Sequence, residues 1–437
     1  MASTRLTRTP SSGDNQKYTV SCWVKRTGLG ASTTVYSTGD TTANNNGRML
    51  FIDADDKIEI SYFNSGYTYE VTTNRVLRDT NAWFNIVVAF DTTQATASDR
   101  IKIWVNGEQE SSFATSSYPS LNASFNFGSA THYIGDLGGR SIYSDFVLSH
   151  LHYIDGTTYA ASAFGETDST TGIWKPKTAP SVTYGSNGVF LKFENSAAFG
   201  TDSSGNGNTF TVNGTMTQTI DTPSNVFATK NLLDVNPSNT NTFANGNTTI
   251  TTNGNGARST LGASTGKYYA EVKYVNQTSF CGIMDLSTAI SSTSAFIKLF
   301  GSNNGEIFVN GSSTDTNVGA GTAIADNSII MFAMDLDNNR LYIGKNGLWW
   351  TSGSGFVSSS LDSYKSFTNT NSNYWGFVAT TGSGSSTSSW NFGNGFYGTT
   401  AVSSAQNPDD GIGIFEYDVP AGYRALCTKS INAEEYS

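Results

Sequence analysis

Two antiparallel β-sandwiches in tandem are what this 437-residue sequence predicts. The grounds are a low-charge, hydroxyl-rich composition, short runs with a period of two, and an echo between the halves. The length exceeds what one hydrophobic core usually serves, so more than one domain is expected. Hydrophobic residues are 37 % and aromatics 13 %, enough for real cores. Charged residues are only 14 %, against about 25 % in average soluble proteins. Gly, Ser, Thr and Asn take their place, and these suit turns and polar sheet faces better than helix surfaces.

Taken in order, KYTVSCWVK from Lys17 is an early extended run. In KIEISYF, Ile58, Ile60 and Tyr62 share one face while Glu59 and Ser61 share the other. WFNIVVAFD groups Phe84, Ile86, Val88 and Phe90. DRIKIWVNG groups Ile101, Ile103 and Val105 before an Asn106-Gly107 turn. From about Thr157 to Asn225 the character changes, with Pro176, Pro180 and Pro223 around one strand-like run, GVFLKFE. The stretch from Asn236 to Gly266 is dense in Asn, Thr and Gly and reads as a connection. Beyond it, SIIMFAMDLDNNRLYIGKNGLWW puts Ile330, Phe332, Met334 and Leu336 in phase. Asn338-Asn339 and Asn346-Gly347 supply residues that tolerate positive φ in hairpins.

The halves repeat one another in order. Lys17 (KYTV), Ala89 and Asp91 (VAFD) and Arg100 (RIKIWVNG) are answered by Lys267 (KYYA), Ala333 and Asp335 (FAMD) and Arg340 (RLYIGKNG). A shared strand order explains this, and the division expected is residues 1–225 and 226–437.

Several classes are argued against. The net charge is −10, and with no Lys/Arg run the surface would repel phosphates, so no nucleic-acid partner is expected. No apolar run is long enough to cross a bilayer as a helix, so no membrane insertion is expected. MASTRLTRTPSSGDNQ has no apolar core and is not expected to be a signal peptide. Cys22, Cys281 and Cys427 are odd in number and scattered, which argues against a disulfide framework or a thiolate zinc site and for small buried residues.

WFNIVVAFDTTQATASDRIKIWVNGEQ resembles the central hairpin of laminin-G-like, concanavalin A-type domains, and YIGDLGGRSIYSDFVLSHLHYIDG is similar to the strands that follow there. GKYYAEVKY, CGIMD and MFAMDLDNNRLYIGKNGLWW resemble the SPRY domain. The resemblance implies two concanavalin A-like jelly-roll β-sandwiches in tandem, laminin-G-like then SPRY-like. RTPSSGDNQKYTVSCWVKR, HYIDGTTYAASAFGETDSTTGIWKPK, FENSAAFGTDSSGNGNTFTVNG and VPAGYRALCTKSIN look like tandem proteins of marine bacteriophages, taken to be virion fibre, tail or capsid-surface components. That likeness implies a virion protein assembled in the host cytoplasm. It also implies partners among other virion structural proteins, and host-surface glycan as a ligand. By analogy with fibres, a homo-oligomer, a trimer, is expected. No cofactor is implied.

Four constellations can carry chemistry. Glucanases of this fold place carboxylates in a Glu-x-Asp-x-x-Glu pattern on one strand face. Glu166 with Asp168, and Glu416 with Asp418, begin it but lack the third member: Thr170 and Thr171 follow one, Pro420 and Ala421 the other. A non-enzyme is therefore expected. His150 and His152 form His-x-His, which on a strand projects both rings to one face. Zinc would need a third ligand such as His132 or Asp145, and paired sheet-face residues are favoured. Asp202, Ser204 and Asn206 with Gly207 look like the start of a calcium loop, but Asn213 stands where a bidentate Glu would, which favours a side-chain-stabilised turn. Trp349 and Trp350 lie on opposite strand faces, so one is a candidate platform for a sugar ring; the alternative puts one in the core and one in a subunit contact. The rivals are a secreted bacterial carbohydrate-binding or adhesion protein and a polysaccharide depolymerase.

Overall fold

The computed structural model describes residues 4–435 apart from 42–43, 170–171, 237–239, 255, 276–277, 291–295, 302–304, 320–323, 370–372 and 382–383. It is built of strands, with one α-helix among the described residues, Thr428–Glu435. Contacts divide it into two compact units: Met1–Gln218 with Thr222–Ser224, and Asn225–Ser437 with Thr219–Asp221.

The first unit is a sandwich of two antiparallel sheets. One has eight strands in the spatial order Phe113–Ser117, Tyr67–Val76, Lys57–Phe63, Asn46–Ile52, Thr33–Gly39, Thr131–Ile134, Arg5–Arg8, Thr211–Asn213. The other has six: Val189–Leu191, Phe146–Asp155, Lys17–Arg26, Trp83–Asp91, Ile101–Val105, Glu108–Gln109. The alternation read from sequence sets what lies between them. Ile58, Ile60, Tyr62, Ile86, Val88, Phe90, Ile101, Ile103 and Val105 all enter one core. Each fully buried side chain of this kind contributes about 1.5–3 kcal/mol. The Asn106-Gly107 turn has φ of 49° and 85°, the paired positive values that bring two strands together without splaying them.

The second unit repeats the plan. A seven-stranded sheet runs Lys230–Val235, Ala257–Ser259, Trp375–Thr381, Ser279–Asp285, Phe296–Phe300, Glu306–Val309, Ser312–Thr316. It faces a ten-stranded sheet whose main path is Thr242–Ala244, Thr249–Asn253, Ser385–Asn391, Lys267–Tyr274, Ile329–Asp335, Arg340–Lys345, Leu348–Thr351, Gly355–Ser358. Ile330, Phe332, Met334 and Leu336 are in its core. Asn346-Gly347 takes φ of 50° and 87°, whereas at the other hairpin only Asn339 is positive, at 57°.

The sequence echo is a structural one. Lys17 stands in register opposite Asp91 with 3.8 Å between their charges, and Lys267 stands opposite Asp335 at 3.5 Å. Asp91 then accepts from the Thr93 amide at 2.9 Å, and Asp335 from the Asn338 amide at 3.0 Å, each carboxylate shaping the turn that follows.

The stretch from Asn236 to Gly266 is not the connection its composition suggested. It holds three strands of the second sandwich, Thr242–Ala244, Thr249–Asn253 and Ala257–Ser259. The hydroxyls that read as loop residues pair across strands instead: Thr249 with Ser389 at 3.1 Å, Thr251 with Thr387 at 2.8 Å, and Thr252 with Ser386 at 3.0 Å.

In each sandwich one outward sheet face is roofed by loops and short strands. Over the six-stranded sheet, Ala161, Phe164 and Trp174 pack on Val87, Ala89, Trp104 and Ile154. Over the ten-stranded sheet, Phe415, Val419 and Tyr423 pack on Tyr269, Met331, Ala333 and Trp349.

Candidate functional site

With those faces roofed, the outward face of the eight-stranded sheet carries the first unit's functional candidates. Inward and outward residues alternate, and the register lines the outward ones into two rows. One row is Ser37, Arg48, Ser61, Glu70 and Ser117, each opposite the next. The second, beside it, is Thr34, Phe51, Glu59, Thr72 and Thr115.

The centre of this face is a fixed polar cluster. Arg48 donates to Glu59 Oε1 at 2.5 Å and to the Tyr67 hydroxyl at 2.9 Å, and its guanidinium lies 4.3 Å from the Phe51 ring centroid. Ser61 Oγ donates to the same Glu59 oxygen at 2.6 Å. The Tyr67 ring is 49 % exposed, and Phe63 meets it edge-on at 5.5 Å. One end of the face is walled by the chain around Asp136. Ser37 Oγ donates to the Asp136 carbonyl, and Arg5 holds the Asp136 carboxylate at 2.7 Å. Ser37, Thr34, Phe51, Glu59, Ser61 and Thr72 are buried, so what reaches solvent is one guanidinium, the Glu70 carboxylate, the Thr115 and Ser117 hydroxyls and the exposed Tyr67 ring. Such a surface can bind vicinal hydroxyls and shelter an apolar ring face.

The residues singled out from sequence are placed otherwise. Trp349 and Trp350 do fall on opposite faces, but each is 4 % exposed. Trp350 is in the core and Trp349 is under the roof with Tyr269 and Phe415. The solvent-facing platform expected there is corrected: the period of two predicts the sides, not what covers them.

Asp202 is a turn organiser. Oδ1 accepts the amides of Phe190 at 2.9 Å and Ser204 at 2.8 Å, while Oδ2 accepts Ser204 Oγ and the Asn208 amide, both at 2.8 Å. Asn206 Nδ2 donates to the carbonyls of Gly185 at 2.7 Å and Gly188 at 3.0 Å. Four donors already occupy the one carboxylate that calcium would need. Asp202→Ala is expected to cost about 1–3 kcal/mol by stranding those donors. Added calcium is expected to leave thermal melting unchanged.

His150 and His152 do not pair as an even strand would place them. A bulge between Ser149 and His152 intervenes, and His150 takes φ of 47°. His152 stacks on Phe190 at 4.0 Å and bonds the Tyr184 hydroxyl at 2.9 Å. His132 lies inside the sandwich. Its Nε2 donates to the Phe127 carbonyl, so Nδ1 accepts from the Tyr36 hydroxyl, both at 2.7 Å. Burial brings its pKa down to about 4 and keeps it neutral. Asp145 is exposed. Among the described residues, no three His, Cys, Asp or Glu side chains gather at metal-binding range.

Glu166 and Asp168 are both paired with Lys175, at 3.6 and 3.1 Å, and Thr170 and Thr171 lie outside the described residues. The Glu416 carboxylate accepts from the Ser403 amide at 2.6 Å, while Asp418 is exposed. Cys22, Cys281 and Cys427 are free and buried. Arg48, Tyr67 and Glu70 went unnoticed in the sequence, although the Glu59/Ser61 alternation marked one strand of their face.

Residues 2–153 match the concanavalin A-like lectin/glucanases superfamily. Over those residues the fold is laminin-G-like. No curated protein matches the sequence. Among solved structures, mouse laminin alpha1 chain domains LG4-5 are 10 % identical, over 97 % of this chain and 84 % of that one, with a TM-score of 0.30. The TRIM65 PSpry domain is 9 % identical over 38 % of this chain and 91 % of its own, with a TM-score of 0.26. The human HERC1 SPRY domain is 13 % identical over 32 % and 81 %, with a TM-score of 0.23. The two rows of the laminin-G-like sandwich lie within the matched residues. No helix among the described residues is long and apolar enough to cross a membrane.

Proposed function

We propose that this chain is a non-enzymatic virion surface protein, a tail fibre, capsid fibre or decoration, whose laminin-G-like sandwich holds host-surface glycan. The observation that carries the glycan reading is the pair of in-register rows, in which buried Glu59, itself held by Ser61, fixes Arg48 beside the exposed Tyr67 ring, with Glu70 on the adjoining strand. Sugar recognition needs that mixture: directional polar groups for hydroxyls, and a ring face for the C–H side of the pyranose. The virion reading is supported by the likeness of the chain's opening, middle and final segments to tandem phage proteins. It is also supported by the low-charge, hydroxyl-rich composition of a display scaffold. Its partners are then further copies of itself, as a trimer, and neighbouring virion proteins.

Titration of full-length protein with purified host-surface polysaccharide tests the glycan site. Tyr67→Ala removes an exposed ring, so melting is expected to hold while affinity falls about tenfold, in line with the worth of an aromatic platform. Unchanged affinity in both Tyr67→Ala and Arg48→Ala would reject the site. Labelling the chain on intact particles, and weighing it in mild buffer, tests the virion place and the trimer.

A further inference from the structure

Asparagine is followed by glycine at twelve places in this chain. That dipeptide carries a reactivity of its own. Glycine has no Cβ to shield its amide nitrogen, so the nitrogen can close on the carboxamide carbon of the residue before it. In ten of the pairs the asparagine lies among the described residues, and the fold does not treat the ten alike.

Nine have one of the two reacting groups engaged elsewhere. Asn106, Asn310 and Asn346 each accept on Oδ1 an amide of the neighbouring strand, from Asn85 at 2.8 Å, Phe296 at 3.1 Å and Ile329 at 2.8 Å. Five other carboxamides are held as donors. Asn46 reaches the Asn44 carbonyl at 3.1 Å, Asn187 the Asp155 carboxylate at 3.2 Å and Asn206 the Gly185 carbonyl at 2.7 Å. Asn213 reaches the Thr7 hydroxyl at 3.2 Å, and Asn245 that of Thr249 at 3.0 Å. At Asn394 the glycine is the engaged partner, since the Gly395 amide donates to Asn391 Oδ1 at 3.1 Å.

Asn253 differs from all of these. It ends the strand Thr249–Asn253 and is exposed, and its carboxamide meets no hydrogen-bond partner among the described residues. Gly254 follows at a φ of 100°. Its carbonyl accepts the Thr381 amide at 3.0 Å, while its own amide donates to no carbonyl among the described residues.

We infer that Asn253 is a site of covalent self-modification, deamidating through a cyclic imide to aspartate and isoaspartate. The Gly254 nitrogen attacks the side-chain carbonyl carbon of Asn253 and a C–N bond forms. The bond from that carbon to the side-chain nitrogen breaks, and ammonia leaves with the proton that the glycine amide gives up. Water then opens the ring, its hydroxyl going to either carbonyl carbon and its remaining proton to the nitrogen. Opening at the backbone carbonyl sends the chain through the former side chain, which is isoaspartate; opening at the other leaves aspartate. Water is the sole co-reactant. Ile250 points into the core, so the new carboxylate emerges on the outward side with Thr249 and Thr251. Isoaspartate also adds a methylene to the backbone just where the chain leaves the ten-stranded sheet for Ala257–Ser259 of the seven-stranded one. The inference is independent of the glycan face of the first sandwich.

The experiment ages the full chain in mildly alkaline buffer and follows each Asn-Gly peptide by tandem mass spectrometry, with fragmentation that separates Asn253 from Asn255. Asn253 is expected to gain about one dalton at least about fivefold faster than the other nine, the rate factor of one net hydrogen bond. Its product should contain isoaspartate beside aspartate. In urea, where the holding bonds are gone, the ten rates should converge. Asn253→Ser should melt as wild type does and lack the fastest-forming product. Faster reaction at any of the nine would overturn the inference. So would aspartate without isoaspartate, which marks direct hydrolysis, or the same ranking in urea, which would make local sequence and not the fold the selector.

Discussion

Replacing Glu271 by alanine is expected to destabilise the second sandwich by about 3–5 kcal/mol. This carboxylate is fully buried, yet it lies on the outward face of its sheet, beneath the roof. Its Oε1 accepts the Tyr269 hydroxyl and the Tyr417 amide, both at 2.9 Å. Its Oε2 accepts the Glu416 amide at 2.9 Å, Asn391 Nδ2 at 3.4 Å and the Tyr397 hydroxyl. Removing it strands these donors out of water, each at a cost of about 1–3 kcal/mol where nothing relaxes to meet it. The roof should loosen with it. Thermal melting reads the first effect, and faster amide exchange at Glu416 and Tyr417 reads the second.

Glu271→Gln keeps the volume and one acceptor but turns an amide toward donors, and should cost about 1–3 kcal/mol. Burial raises the Glu271 pKa above its ordinary 4.5, with the surrounding donors opposing. The unfolded carboxyl therefore ionises first. The stability Glu271 contributes falls as pH rises from about 4.5 through the folded value, a slope absent from the glutamine variant. A melt of Glu271→Ala indistinguishable from wild type would remove the role assigned to the roof anchor.

The second large effect is expected in the first sandwich, where Asp56→Ala should cost about 3–5 kcal/mol. Asp56 Oδ1 accepts Arg26 at 3.1 Å and the Gly30 amide at 3.0 Å, and Oδ2 accepts Arg78 at 3.1 Å. The Arg26 side chain is 1 % exposed, so losing its partner leaves a cation buried with little but the Leu77 carbonyl at 3.3 Å. Arg78, at 61 % side-chain exposure, is solvated in any case and adds little.

Burial would raise the Asp56 pKa, but the Gly30 amide and the two guanidinium groups outweigh it and hold the carboxyl below its ordinary 3.8. The sign is therefore opposite to that of Glu271. The contribution is complete above about 4 and is lost as pH falls through the depressed folded value. Acid unfolding followed by near-ultraviolet dichroism should start at higher pH in Asp56→Asn than in wild type. Coincident acid transitions would count against the buried pair.

Much of the fold was legible because its signals are local. Tyr62 and Ile60 inside, with Glu59 and Ser61 outside, follow from a pleat of period two. Asn106-Gly107 and Asn346-Gly347 closed hairpins because those residues reach positive φ at little cost. The Lys17–Asp91 and Lys267–Asp335 pairs were visible as an echo because each joins the start of one strand to the end of its neighbour. Composition misled where hydroxyls pair across strands, as in Thr249–Asn253, since threonine ladders and polar loops have the same residue content.

The candidate sites were legible in part only. Glu59 could be assigned a side from its own run, but Arg48, Glu70 and Ser117 join it through three separate strand pairings, and register between distant segments is not written in any one of them. The same limit misplaced Trp349, whose solvent-facing side is covered by chain more than sixty residues downstream.

By itself the sequence determined the all-β class, the paired sandwiches, the hairpin turns and the inward side of most strands, because alternation and turn chemistry act over a few residues. Only the tertiary structure decided which sheet faces are roofed and which polar groups share a face. Those outcomes depend on register and on chain returning from far along the sequence, and there the physical cost of burying or pairing a charge is set.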